Sequence, residues 1–167
     1  MNIRYFTSAL AAIILSGAFT LASAQDVGTD LFRKALDLYD NGSYERAAAL
    51  FSSMEGEFAE GYKVLSDIAL KKEGYETEAL DYLDKWPESK LCTDINWKWG
   101  STLFDEGKYS DAAFRLTRFS ESDLEKNDRP GYIFRRAYSE FTLGNFQVAE
   151  PLFYKVLDGH SSDYAAP

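Results

Sequence analysis

Residues 107–119 read GKYSDAAFRLTRF, and the intervals within this stretch decide the fold. Gly107 is followed by Tyr109, Ala112, Leu116 and Phe119. After the glycine these positions step by three or four, the period of one helix face. The same order recurs three more times. Gly42 leads to Tyr44, Ala47, Phe51 and Met54; Gly74 leads to Tyr75, Ala79, Leu83 and Trp86; Gly144 leads to Phe146, Ala149, Phe153 and Val156. The glycines are separated by 32, 33 and 37 residues, and self-similarity at such a period marks a repeat architecture.

The segments ahead of the glycines are helical as well. Leu31, Ala35 and Leu38 step by four and three, and Gly100 and Leu103 by three. Each unit therefore reads helix, turn, helix. The glycine supplies a left-handed cap to the first helix, and the Ala five residues later lets the two helices approach closely. Ser43 is expected to cap the helix that starts at Tyr44. Asp128 with Pro130 opens the one carrying Tyr132 to Leu143, and Pro87 follows the helix ending near Trp86. Pro151 falls one turn inside the last helix and is expected to bend it. The fold class is all-α, with a repeat domain over 25–160 made of units near 28–57, 58–90, 91–124 and 128–160.

Ahead of that domain, Met1 to Tyr5 carries one cation, Arg4, and Phe6 to Leu21 is mainly apolar. Ala22-Ser23-Ala24 then supplies small residues at a cleavage site, so residues 1–24 read as an export signal and the mature chain starts at Gln25. The single cysteine, Cys92, cannot form an internal disulfide and reads as a small buried filler. At the other end, residues 161–167 contain Asp163 followed by small residues and Pro167, a helix-opening pattern that reads as the start of a further repeat.

Net charge is −9 with acidic groups scattered, and no basic stripe can be drawn for a phosphate backbone; nucleic acid is not an expected partner. Catalysis lacks a constellation. His160 is the only histidine, and one His with one Cys cannot assemble a soft-ligand metal site. The pairs Glu76/Glu78 and Glu121/Asp123 read as helix-terminus charge, and every notable glycine sits singly in a turn instead of a phosphate loop. The expectation is a non-enzyme with no cofactor, no metal and no transmembrane span.

The repeat resembles the tetratricopeptide repeat (TPR), a pair of antiparallel helices with a period of about 34 residues. The resemblance covers roughly residues 28 to 160. A small residue stands seven before the turn glycine in three units, as Ala35, Gly100 and Ala137, with Asp67 in the second. Glu140 stands where the family usually has an apolar residue. What the resemblance implies is a right-handed superhelical solenoid of about four repeats whose first helices line a concave face. The matching positions there are Phe32, Arg33 and Tyr39, then Trp97, Lys98 and Phe104, then Phe134, Arg135, Tyr138 and Phe141. Rings mixed with cations suit peptide ligands, and the chain holds 12 Phe, 11 Tyr and 3 Trp, more than a repeat ladder alone consumes. The chain also looks similar to exported bacterial TPR arrays, which implies a scaffold binding proteins or peptides in the periplasm or at the outer membrane. A small-ligand binder, with rings such as Trp97 and Tyr138 stacking on a sugar, is the rival expectation. Phe146, Phe153, Val156 and Leu157 face outward on the last helix with nothing following, so this open end is expected to meet a further repeat, a partner or a second copy.

Overall fold

Residues 28–158 are described in the computed structural model. The expected leader over 1–24, His160 and the expected further repeat over 161–167 lie outside them. The described residues form helices and connecting turns with no strand. α1 spans 28–40. It is followed by α2 (Tyr44–Phe51), α3 (Glu57–Ala69), α4 (Tyr75–Lys85), α5 (Leu91–Asp105) and α6 (Tyr109–Leu116). A 3-10 turn at Glu121–Asp123 precedes α7 (Arg129–Thr142) and α8 (Phe146–Asp158). Consecutive helices pair as four hairpins, α1/α2 to α7/α8. Each later hairpin packs on the one before: α2 touches α3, α6 touches α7, and the first helices α3, α5 and α7 touch in succession.

The turn chemistry explains the hairpins. Gly42, Gly107 and Gly144 have φ of 73°, 75° and 81°, left-handed conformations in which a Cβ would be strained. Each closes its first helix with the same two bonds. Gly107 N donates to Phe104 O at 2.9 Å and Lys108 N to Leu103 O at 2.9 Å; Gly42/Ser43 and Gly144/Asn145 repeat the pattern. The second hairpin does it differently. There Lys71 N donates to Ile68 O and Lys72 N to Asp67 O, so Lys71, at φ 51°, holds the left-handed position. Gly74 only opens α4. The connection is two residues longer, and α3 ends three residues earlier relative to Gly74 than the other first helices do relative to their glycines.

This corrects the sequence alignment of that unit. Counted from Lys71, Asp67 occupies the position of Leu38, Leu103 and Glu140, not that of Ala35, Gly100 and Ala137, where Val64 stands instead. Both acidic exceptions then fall at one position and are satisfied the same way, by the residue after the left-handed one. Asn145 Nδ2 donates to Glu140 Oε2 at 2.7 Å, and Lys72 Nζ to the Asp67 carboxylate at 3.2 Å. Lys63 adds a second contact to Asp67 at 2.8 Å and also reaches Glu78.

Lys71 is a non-glycine residue in a region where an L side chain is disfavoured. Lys71→Gly is expected to raise stability by about 0.5–1 kcal/mol by urea titration, since the exposed Lys71–Glu106 pair at 3.4 Å adds little.

Asp67 is 1% exposed, yet ionised. Burial alone would raise its carboxyl, but the hydrogen-bonded Lys63 and Lys72 ammonium groups outweigh it and hold the group below its ordinary 3.8. A depressed carboxyl stabilises the fold above that ordinary value, and the contribution is lost as pH falls through the depressed one. Asp67→Asn is therefore expected to lower stability by about 1–3 kcal/mol at neutral pH. The variant should also destabilise less steeply than the parent as pH falls below that ordinary value, followed by thermal melting.

Two expected caps differ from their reading. Ser43 and Asp128 sit at the N-caps of α2 and α7, but neither side chain makes a cap hydrogen bond. Their ψ values, 57° and −21°, lie outside the extended region from which a side-chain oxygen reaches back to the first turn. Pro130 does lie in the first turn of α7, where a missing N–H costs little. α8 continues through Pro151.

Three apolar clusters fill the seams. Ala35, Ala47, Phe51 and Ala59 join the first hairpin to α3; Ile68, Tyr82, Ile95 and Trp99 fill the centre; Leu116, Tyr132, Ile133 and Val156 join α6 to the last hairpin. The four alanines five residues after the turn glycines, Ala47, Ala79, Ala112 and Ala149, are all buried. Val156 was expected to face outward. It is buried instead, because it packs inward on the Leu116 and Tyr132 cluster.

Candidate functional site

The first helices place a run of rings and cations on one side of the hairpins. In hairpin three, Phe104 near the end of α5 meets Tyr109 across the turn at 5.5 Å between centroids. Tyr138 of α7 closes on both, 5.6 Å from Phe104 and 5.4 Å from Tyr109, and Phe134 packs beside it. The Arg135 guanidinium stands 5.6 Å from the rings of both Trp97 and Phe104 and 3.6 Å from the Asp105 carboxylate. Such a stack holds the cation in a fixed orientation. Trp97, Phe104, Phe134, Arg135 and Tyr138 are thus brought together. Tyr138 is the most open of them, at 39% exposed.

A second cluster lies at the other end of the same side. Tyr39 contacts Tyr44 at 5.4 Å and Tyr62 at 5.3 Å, and Phe32 packs on Tyr62 and Phe51. Lys98, next to Trp97 on α5, reaches this cluster with its Nζ 5.4 Å from the Tyr44 ring. Burial, then the neighbouring Tyr44 and the Asp94 charge, push the Tyr39 hydroxyl well above its ordinary value, and burial does the same for Tyr62. Both remain neutral donors at physiological pH.

Two expected residues stand apart from this run. Arg33 pairs with Asp30 at 2.9 Å on an exposed stretch of α1. Phe141 turns to the last helix, where it meets Phe146 and Phe153. Sequence reasoning missed Tyr62, which joins Phe32, Phe51 and Tyr39. Its signal was present: counted from Lys71, Tyr62 occupies the position of Arg33, Lys98 and Arg135.

Asp94, also missed, lines an open cleft of about 630 Å³ with Lys90, Glu125, Asp128 and Arg129. Burial, then the charges of Asp128 and Glu125, raise its carboxyl above the usual range.

The other candidates for chemistry are engaged in packing or pairing. Cys92 Sγ–H donates to Trp86 O at 3.2 Å, and burial pushes its thiol up, which keeps it protonated. Glu76 lies 3.8 Å from Lys108, Glu78 pairs with Lys63, and Glu121 pairs with Lys155. Asp123 Oδ2 accepts from Ser120 N at 2.8 Å. Among the described residues no group of three His, Cys, Asp or Glu is placed to hold a metal, and no helix is long and apolar enough to cross a membrane. Comparison with known proteins finds no matching family model, no similar curated protein and no similar solved structure.

Proposed function

We propose that this chain is a non-catalytic protein-interaction module of tetratricopeptide-repeat type, a right-handed helical solenoid exported to the periplasm or outer membrane, where it acts as a scaffold. The observation that carries the reading is the run from Tyr39 and Tyr62 through Lys98 to Arg135 and Tyr138. It draws on the first helices of all four hairpins and mixes rings with cations. Rings offer contact area at low entropy cost, and fixed guanidinium and ammonium groups orient a peptide's carbonyls and carboxylates. The absence of a matching family leaves the repeat itself as the support for the type: four hairpins and three glycines in the same left-handed cap.

Tyr138→Ala is expected to weaken capture of the partner from a host envelope fraction by roughly tenfold or more, with melting lowered only by the loss of its ring contacts to Phe104, Tyr109 and Phe134. A melting point that falls steeply instead makes Tyr138 a core ring and sinks the assignment of this face. Export carries its own expectation, cleavage after Ala24, checked by intact mass of the secreted protein. Retention of residues 1–24 would contradict it.

A further inference from the structure

The second helix of hairpin three carries two arginines that the pairing of hairpins does not use. Arg115 lays its guanidinium 3.6 Å from the centre of the Trp99 ring and 5.2 Å from that of Phe114, and Arg118 stands 4.2 Å from the same Phe114 ring. Stacking on a ring face fixes the plane of a guanidinium and leaves its N–H edges free to donate. Among the described residues neither guanidinium donates a hydrogen bond or meets a carboxylate at pairing distance. Acids outnumber cations 27 to 18 in this chain, and Lys63, Lys72, Lys85, Lys108 and Arg135 each find one.

Holding two like charges beside one ring costs free energy, and Arg115 registers the cost. Burial, then the Arg118 charge, push its guanidinium below the ordinary value, although Asp111 and Glu76 act in the other direction. Glu76 lies 3.8 Å from Lys108 instead. The C-terminal turn of α6 offsets part of the repulsion. Beneath Arg115, Trp99 is 4% exposed and its indole N–H has no acceptor. Arg115, Arg118 and Trp99 can only donate, so the cluster lacks acceptors and carries two unneutralised charges. A carboxylate neutralises one guanidinium. A phosphate monoester carries about two charges at neutral pH and three acceptor oxygens, which suit both.

We propose that Arg115 and Arg118 form a binding site for a dianionic phosphoryl group, free or at the head of a lipid. The group seats against the two guanidinium edges, beside the half-exposed Phe114 ring. The site stands apart from the first-helix run and uses none of its residues, so its failure would leave that reading untouched.

The test is titration of the isotope-labelled full chain with inorganic phosphate at constant ionic strength, followed by NMR at the Nε–H of Arg115 and Arg118 and the indole N–H of Trp99. Saturable shifts are expected at all three, with affinity lowered roughly tenfold or more by Arg115→Gln or by Arg118→Gln. Arg118 is exposed and its replacement leaves Trp99 covered, so Arg118→Gln is expected to keep the circular dichroism of the parent. Cosedimentation with phosphatidylcholine vesicles, with and without phosphatidic acid, assigns the source. Capture that needs phosphatidic acid and is lost in Arg118→Gln makes the group a lipid's, and shifts with phosphate but no capture make it a free phosphate or phosphate ester. Shifts that chloride reproduces, shifts that persist unchanged in Arg118→Gln, or no response in either arm overturn the proposal.

Discussion

Phe51→Ala is expected to lower the unfolding free energy by about 3–5 kcal/mol, while Phe153→Ala, at the corresponding position of the fourth hairpin, lowers it by roughly 1–2 kcal/mol. Both residues stand nine after a turn glycine. Phe51 is 1% exposed, stacked on Tyr62 at 5.4 Å and edge-on to Phe32 at 5.6 Å. Truncating it leaves a cavity that α1, α2 and α3 cannot all close. Phe153 is half-buried beside Phe141, with no next helix over it among the described residues, so water fills much of the space vacated. Urea unfolding of the two variants beside the parent measures the difference. Equal losses would mean that the outer face of the last hairpin is covered as Phe51 is.

Gly100→Val is expected to destabilise by about 1–3 kcal/mol despite Val's better helix propensity. A Cβ at Gly100 would stand 2.9 Å from Leu116 Cδ2 and 3.0 Å from its Cγ. Leu116 is fully buried against α7 and α8 and has nowhere to withdraw, so α5 and α6 must separate. Ala35 and Ala137 hold the equivalent position in hairpins one and four, so the fold accommodates one buried methyl there. Gly100→Ala should accordingly cost less than Gly100→Val. If thermal melting shows Gly100→Val at or above the parent, the close α5/α6 approach is not what selects glycine.

Much of this arrangement was legible because turn and helix chemistry are local. The left-handed glycines Gly42, Gly107 and Gly144, and the buried alanines five residues on, follow from steric rules acting over a few residues. Lys71 was not legible, because no pattern announces a lysine forced into the left-handed region by what surrounds it. That one residue displaced the register of hairpin two by three and hid both Tyr62 and the true place of Asp67. It also hid Gly61, which occupies the position of Phe32, Trp97 and Phe134. The reason is spatial: a Cβ there would meet Leu91 Cδ1 at 2.5 Å and the Tyr82 hydroxyl at 2.8 Å, so α4 and α5 supply the bulk that a ring supplies elsewhere.

The candidate face was legible in its residue types and less so in its grouping. Phe32 packs back on Phe51 instead of staying with the cations, and Phe141 belongs with the last helix because no fifth first helix stands beside it among the described residues. Neither contact can be read from spacing along a single helix. Both depend on which hairpin lies next.

The central claim, that the first-helix face binds another protein, is tested most directly by photo-crosslinking in host cells with p-benzoylphenylalanine at position 138. Position 114 serves as the control, since Phe114 is a somewhat more open ring on the second helix α6. The account predicts one defined polypeptide captured through position 138 and not through position 114. No adduct at 138, or the same adducts in equal yield at both positions, would contradict it.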